Sequence, residues 1–258
     1  MKKKILNCIS TIDEFKVQDY IDLDIGVEIQ DFTEPNLSES EMASLITRYK
    51  ELFKDFKHIK AIHGPFLDLK PASPDKDIRR VSQEKYYNIL KVAKELAMDY
   101  VIFHTQMNPL LNEPKIKALN YEQNAQFYNL LIKKTDYKGV ILIENIFEKK
   151  PEDMKSFVDQ IDSDRIKVNL DIGHGKLGDE PIEKWIQVLK DDISYIHFHS
   201  NHGRYDEHLS PTDHEIEALL TLIDKYSIDP VISLEYKKKN LRAEIQRFLL
   251  HSESPKSF

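Results

Sequence analysis

The chain has 258 residues, 31 % of them charged and 41 % hydrophobic, with a formal net charge of −7 at pH 7. That length suits one large α/β domain with a substantial core, and the acidic balance removes any general electrostatic pull toward nucleic acid or an anionic membrane. The single cysteine, Cys8, excludes an intrachain disulfide and fits a cytoplasmic, reducing setting, while the basic start Met1-Lys2-Lys3-Lys4 meets only a short apolar run broken at Asn7, so neither a signal peptide nor a membrane span is expected.

In chain order, strand-like and helix-like stretches alternate. Residues 4–9 read as a first strand and 12–23 as a weak first helix. Residues 26–30 form a second strand, with Val27 and Ile29 on one face and Glu28 and Gln30 on the other. The run Leu37-Ser38-Glu39-Ser40-Glu41 offers an N-cap to a helix reaching about residue 56, with Leu45, Ile46, Tyr49 and Phe53 as its apolar stripe. The third strand, 59–63, stops at Gly64-Pro65. A helix over 78–98 leads to the fourth strand, 100–104. A long loop and a helix over 119–134 precede a strongly apolar fifth strand, 139–144. Pro151 suits the first turn of a helix to about 161. The sixth strand spans 165–171. A helix over 181–189 leads to the seventh, 194–199, and Ser210-Pro211-Thr212 opens a helix to about 226. The eighth strand, 230–236, and an amphipathic helix, 241–250, complete the pattern, with a disordered tail expected only within 252–258.

Eight strands alternating with helices predict a single (β/α)8 TIM barrel over the whole chain, 1–258. No G-x-G-x-x-G follows the first strand, which argues against a dinucleotide-binding sheet.

Period-two alternation then locates polar groups. Leu142 and Glu144 share one face of the fifth strand; Tyr195, His197 and His199 share one face of the seventh; Ser233 and Glu235 share one face of the eighth. With the opposite, apolar faces against helices, these sets point into the barrel at its C-terminal mouth, where chemistry occurs in this architecture. Six successive strands deliver such a group: His63, His104, Glu144, Asp171, His197 and Glu235. His174 lies three residues beyond Asp171, with Asp206 and His208 in the loop after the seventh strand. Any one of them taken singly is more often a hydrogen-bonded core residue or a solvated loop residue. Together, five imidazoles and four carboxylates on one rim repel and desolvate one another unless cations of high charge density bind there. Glu28 and Asn145 face or flank the mouth as candidate substrate contacts. His199, also a candidate substrate contact, is placed with His202 and His214 on the rim, where each either supports a neighbouring ligand or stays solvated, while His58 and His251 read as surface.

These motifs carry a resemblance. Ile62-His63-Gly64-Pro65, Phe103-His104-Thr105, Ile143-Glu144-Asn145, Leu170-Asp171-Ile172-Gly173-His174, Ile196-His197-Phe198-His199-Ser200, Asp206-Glu207-His208 and Ser233-Leu234-Glu235 are each short and weak. Their order and spacing are specific. The chain resembles the xylose-isomerase-like TIM barrels, a superfamily shared by sugar phosphate isomerases and epimerases and by endonuclease IV-type apurinic-site nucleases. In the nuclease branch the resemblance implies a trinuclear zinc site on His63, His104, Glu144, Asp171, His174, His197, Asp206, His208 and Glu235. In the isomerase branch it implies one metal, often manganese, on Glu144, Asp171, His197 and Glu235, with Glu144 and Glu235 also moving protons. The cofactor expected is thus Zn2+ or Mn2+, one to three ions. Two features depart from the nuclease pattern: Ser200 stands where an Asp follows the seventh-strand His, and the acidic stretch 11–22 replaces a Gly-rich DNA-contacting loop. The expectation is therefore a metal-dependent isomerase or epimerase acting on a small carbohydrate, with a zinc phosphodiesterase as the alternative and nucleic acid as the less favoured partner.

Overall fold

A computed structural model describes residues 3–253 other than 109 and 111. Strands β1 (Lys4–Ile9), β2 (Gly26–Ile29), β3 (Lys60–His63), β4 (Tyr100–His104), β5 (Val140–Glu144), β6 (Ile166–Asp171), β7 (Ile193–Phe198) and β8 (Val231–Leu234) run parallel in chain order. They close into a barrel as β8 pairs with β1. Helices α1 (Val17–Leu23), α2 (Glu39–Phe53), α3 (Lys76–Glu95), α4 (Pro114–Lys134), α5 (Pro151–Val158), α6 (Ile172–Lys176), α7 (Ile182–Leu189), α8 (Asp213–Lys225) and α9 (Leu241–Glu253) separate or follow them. The expected (β/α)8 barrel is the fold. No helix among the described residues is long and apolar enough to cross a membrane. The tail anticipated for 252–258 lies, past residue 253, outside the described residues.

Alternation divides the core into two layers. Ile5, Val27, Ile62, Val101, Ile141, Val168, Ile196 and Ile232 point outward and merge with the helix cores. Leu6, Ala61, Ile102, Leu142, Tyr195 and Val231 point inward and fill the barrel as an apolar plug. Each large apolar side chain so buried contributes about 1.5–3 kcal/mol. Two residues further along the same inward faces stand His63, His104, Glu144 and His197, so the plug forms the floor of the polar mouth.

Capping sets the helix starts. Ser38 and Glu41 form a capping box on α2, and Thr212 and Glu215 form one on α8. Two local readings differ from expectation. The stretch 12–23 is not one helix: a 3-10 turn at Ile12–Glu14 is followed by α1. The Asp31 carboxylate takes the Ile12 amide, fixing the turn while Ile12 and Phe15 are buried. Directly after β6, where the sequence reading placed no helix before residue 181, Asp171 caps α6, its carboxylate accepting from the His174 amide at 2.7 Å.

Candidate metal centre

Strand register assembles the site. It pairs His104 with Glu144 across β4–β5, Asp171 with His197 across β6–β7, and His197 with Ser233, two residues before Glu235, across β7–β8. At the centre, His197 Nδ1 lies 2.9 Å from Glu235 Oε2, 3.2 Å from Glu144 Oε2 and 3.7 Å from Asp171 Oδ2. The atom is buried and none of these contacts is aligned as a hydrogen bond. The opposite nitrogen, Nε2, meets Glu28 Oε2 at 2.9 Å, and the Tyr195 hydroxyl donates to the same oxygen at 2.7 Å. An imidazole held from behind by a carboxylate, with its free nitrogen turned to three carboxylates, is the arrangement a cation-binding set requires.

Two further groups flank this centre. His63 Nε2 and His104 Nε2 lie 3.6 and 3.5 Å from the two Glu144 oxygens, and His63 Nδ1 is fixed on the Gly64 carbonyl at 2.8 Å. On the other side, Asp206 Oδ2 is 2.7 Å from His208 Nε2 and 3.2 Å from His174 Nε2. His208 Nδ1 rests on the Glu235 carbonyl and His174 Nδ1 on the Asn145 carbonyl, each at 2.9 Å. In His63, His174 and His208 a backbone carbonyl fixes one nitrogen and orients the other into the cluster. Within each of His63–His104–Glu144 and Glu144–Asp171–His197, one ligand atom per residue lies within 4.8 Å of the others. The structure therefore brings all nine predicted ligands together, with Glu144 shared between two groups.

The site's own charges explain its protonation. Burial pushes Glu144 and Asp171 upward, but the surrounding imidazoles outweigh it and hold both well below the usual carboxylate range. Burial likewise opposes charge on His197 and His174, yet the neighbouring carboxylates hold both well above an ordinary histidine. Burial prevails only at His104, lowered to about 3 and so a neutral ring ready to ligate.

A family model described as the xylose isomerase-like TIM barrel matches residues 20–252. The chain belongs to that family. It is 28 % identical over 195 residues to an uncharacterized protein of Methanocaldococcus jannaschii, covering 72 % of this chain and 66 % of that protein. Among solved structures it is similar to a D-tagatose 3-epimerase-like protein, with TM-score 0.74, 24 % identity and coverage of 97 % and 96 % of the two chains. It is also similar to a Thermus thermophilus protein soaked with ZnCl2, with TM-score 0.76, 17 % identity and full coverage of both chains. At these identities the structures share the fold.

For this xylose isomerase-like chain, three placements correct the reading from sequence. Glu28 does not flank the open mouth: it is fully buried beneath His197, because the inward face of β2 at that level packs under the ring. Asn145 is buried too, with both ends of its amide engaged by the backbone of Asp171 at 2.9 and 3.0 Å. His199 is not a rim residue but buried, 3.0 Å from Asp171 Oδ2, 3.5 Å from Asp206 Oδ1 and stacked on His208 at 4.1 Å. The inward phase it shares with His197 was the signal for that burial. His202 and His214 are exposed as read. Ser200, the departure from the nuclease pattern, donates to Glu215 at 2.6 Å and accepts from Lys176 at 2.9 Å. With the Ser200–Leu209 bridge, it anchors the loop that presents Asp206 and His208.

Residues not singled out from sequence also reach the mouth. A cavity of about 940 Å³ is lined by Glu235 and His208 together with Cys8, Gln30 and Lys238. Gln30 donates to Glu235 Oε1 at 2.6 Å, and the Lys238 ammonium, lowered by burial to about 8, donates to the Leu234 and Tyr236 carbonyls.

The closeness of α6 to β7 depends on Gly173. A Cβ there would lie 1.9 Å from His199 Cε1. Gly173→Ala therefore displaces the His199 ring and is expected to destabilise the protein by about 1–3 kcal/mol, as overpacking does. Urea denaturation checks this; an unchanged midpoint contradicts it.

Proposed function

We propose that the protein is a divalent-metal-dependent isomerase or epimerase of a small sugar or sugar phosphate. The observation that carries this is the His197 Nδ1 atom, buried without an aligned partner and bounded by Glu144, Asp171 and Glu235. These four residues would hold a divalent cation, Mn2+ at an oxygen-rich centre or Zn2+ where imidazole ligation dominates. When bound, that ion supplies Lewis-acid polarisation of a sugar carbonyl and its neighbouring hydroxyl, acidifying the C–H between them.

The chain's own residues would then manage protons. Glu235 lines the mouth cavity, so its carboxylate is positioned to take the proton from carbon. Gln30 holds Oε1 and leaves Oε2 toward the centre. Glu144, kept as a carboxylate by the imidazoles around it and accepting from Asn169 at 2.8 Å, would serve as the base on the other side, and would return a proton there only after taking one from the protonated His174 ring, whose Nδ1 lies 3.4 Å from Glu144 Oε1. Glu28 and Asn145 act as positioning residues for His197 and Asp171. The reducing cytosol is the setting we propose, in keeping with the free thiol of Cys8.

Incubation with ketoses and their phosphates in D2O, in the presence of Mn2+ or Zn2+, tests the reading. Loss of the proton signal alpha to the carbonyl, with appearance of the epimer or isomer, is expected for at least one substrate. No exchange across the panel defeats the proposal. A second reading, zinc-dependent phosphodiester hydrolysis, is favoured by one observation: the two outer groups, His63–His104 and His174–Asp206–His208, are also assembled. An activated aryl phosphodiester as substrate distinguishes the two.

A further inference from the structure

One buried imidazole at the mouth stands outside the nine-ligand set. His199 is buried, and its Nε2 lies 3.0 Å from Asp171 Oδ2. A carboxylate oxygen only accepts, so Nε2 carries the hydrogen, and the neutral ring has a lone pair on Nδ1. That atom faces Asp206 Oδ1 at 3.5 Å. Both atoms are buried, and neither has a hydrogen-bond partner among the described residues. Two acceptor atoms facing each other away from water are unfavourable unless positive charge lies between them. Their spacing suits a metal ion: two ligand atoms each about 2.0–2.1 Å from a tetrahedral zinc stand roughly 3.4 Å apart.

The neighbouring residues hold this arrangement in place. His208 Nε2 meets the other oxygen of the same carboxylate, Asp206 Oδ2, at 2.7 Å. The His208 ring stacks on His199 with centroids 4.1 Å apart and planes 4° apart. Across the His199 ring, α6 approaches so closely that a Cβ at Gly173 would lie 1.9 Å from Cε1. The ring is therefore clamped with Nδ1 toward Asp206. His199, Asp206 and His208 each offer one ligand atom within 4.8 Å of the others.

We propose that His199 is a metal ligand, its Nδ1 binding an outer divalent cation together with Asp206 and His208. Through Nε2 the same ring supports Asp171 of the central group, so His199 ties the outer ion to the central one. This assignment requires only that the mouth binds divalent cations, and it holds whether the reaction is isomerisation or hydrolysis.

Zinc is titrated into metal-stripped parent protein and into His199→Gln, and bound metal is counted by plasma emission spectrometry. Glutamine keeps a donor able to reach Asp171 and has no nitrogen at the Nδ1 position. The variant is expected to bind one ion fewer per chain, or to bind the outer ion at least about tenfold more weakly, with an unchanged far-ultraviolet circular dichroism spectrum. Equal stoichiometry and affinity in the two folded proteins overturn the proposal. Should the variant not fold, zinc-soaked crystals of the parent decide the matter through an anomalous difference map at the zinc edge. A peak about 2.0–2.1 Å from His199 Nδ1, shared with Asp206 and His208, is expected. Zinc on Asp206 and His208 with Nδ1 outside bonding distance overturns the proposal, as does an outer pair without zinc. Zinc missing from Glu144, Asp171, His197 and Glu235 as well would also defeat the metal-dependent reading of the centre.

Discussion

Glu235→Gln lowers turnover by about 10²–10⁴-fold while the protein remains folded, because the substitution removes a proton acceptor without changing side-chain shape. Glu235 is the one of the two glutamates that lines the mouth cavity, and its Oε1 accepts from Gln30 at 2.6 Å. A glutamine can keep a hydrogen bond there after its amide reorients, so the melting temperature should stay close to that of the parent. Its Oε2 faces His197 Nδ1, so weaker binding of the central ion is also expected, and activity is compared at saturating metal. Full exchange activity in the variant removes Glu235 from proton transfer. Glu28→Gln provides the contrast. Glu28 holds the back of His197 and accepts from the Tyr195 hydroxyl, so its loss should reduce metal affinity more than turnover at saturating metal.

Metal-stripped protein titrated with Zn2+ and Mn2+, and counted by plasma emission spectrometry, is expected to take up more than one ion per chain. The nine converging side chains exceed what one four- to six-coordinate ion uses, and they gather in overlapping groups, among them Glu144–Asp171–His197, His63–His104–Glu144 and, with His199, Asp206–His208. Asp206→Ala with His208→Ala should remove one ion and leave the central one. His197→Ala should instead abolish central binding. A maximum of one ion in the parent and in the double variant refutes multinuclear binding and leaves a mononuclear isomerase.

Metal removal should also expose a pH dependence with a definite sign. His208 is raised to about 9, the carboxylates of Asp206 and Glu235 overcoming the opposing effect of burial. Its protonated form therefore stabilises the folded state fully below the unfolded value of about 6.5, and that contribution is lost as pH rises through about 9. His174 and His197 are shifted in the same direction. Stripped protein should melt at lower temperature near pH 9 than near pH 6. Bound cations, which replace protons as the counter-charge, should flatten the difference. Equal melting temperatures in chelator at both pH values contradict this account of the cluster.

Much of the architecture follows from patterns within single strands. Alternation in Leu142–Glu144, Tyr195–His197 and Ser233–Glu235 set which side chains enter the barrel, because a strand's two faces are fixed by its period. A carboxylate or imidazole at the ends of successive parallel strands must converge once the sheet closes, so the gathering of the nine candidate side chains at one mouth was legible in the sequence. What sequence could not determine is depth and partnership. Glu28 and Glu235 both belong to inward faces, yet Glu28 is sealed under His197 while Glu235 opens to the cavity. His199 lies two residues past His197, but only the approach of α6 at Gly173 and the return of the loop at Ser200–Leu209 bring it between Asp171 and Asp206. Local sequence fixes which way a side chain leaves its strand, through sterics that act over two residues. Which groups meet, and which are shut away from solvent, depends on strand register, barrel closure and loop contacts between residues tens of positions apart.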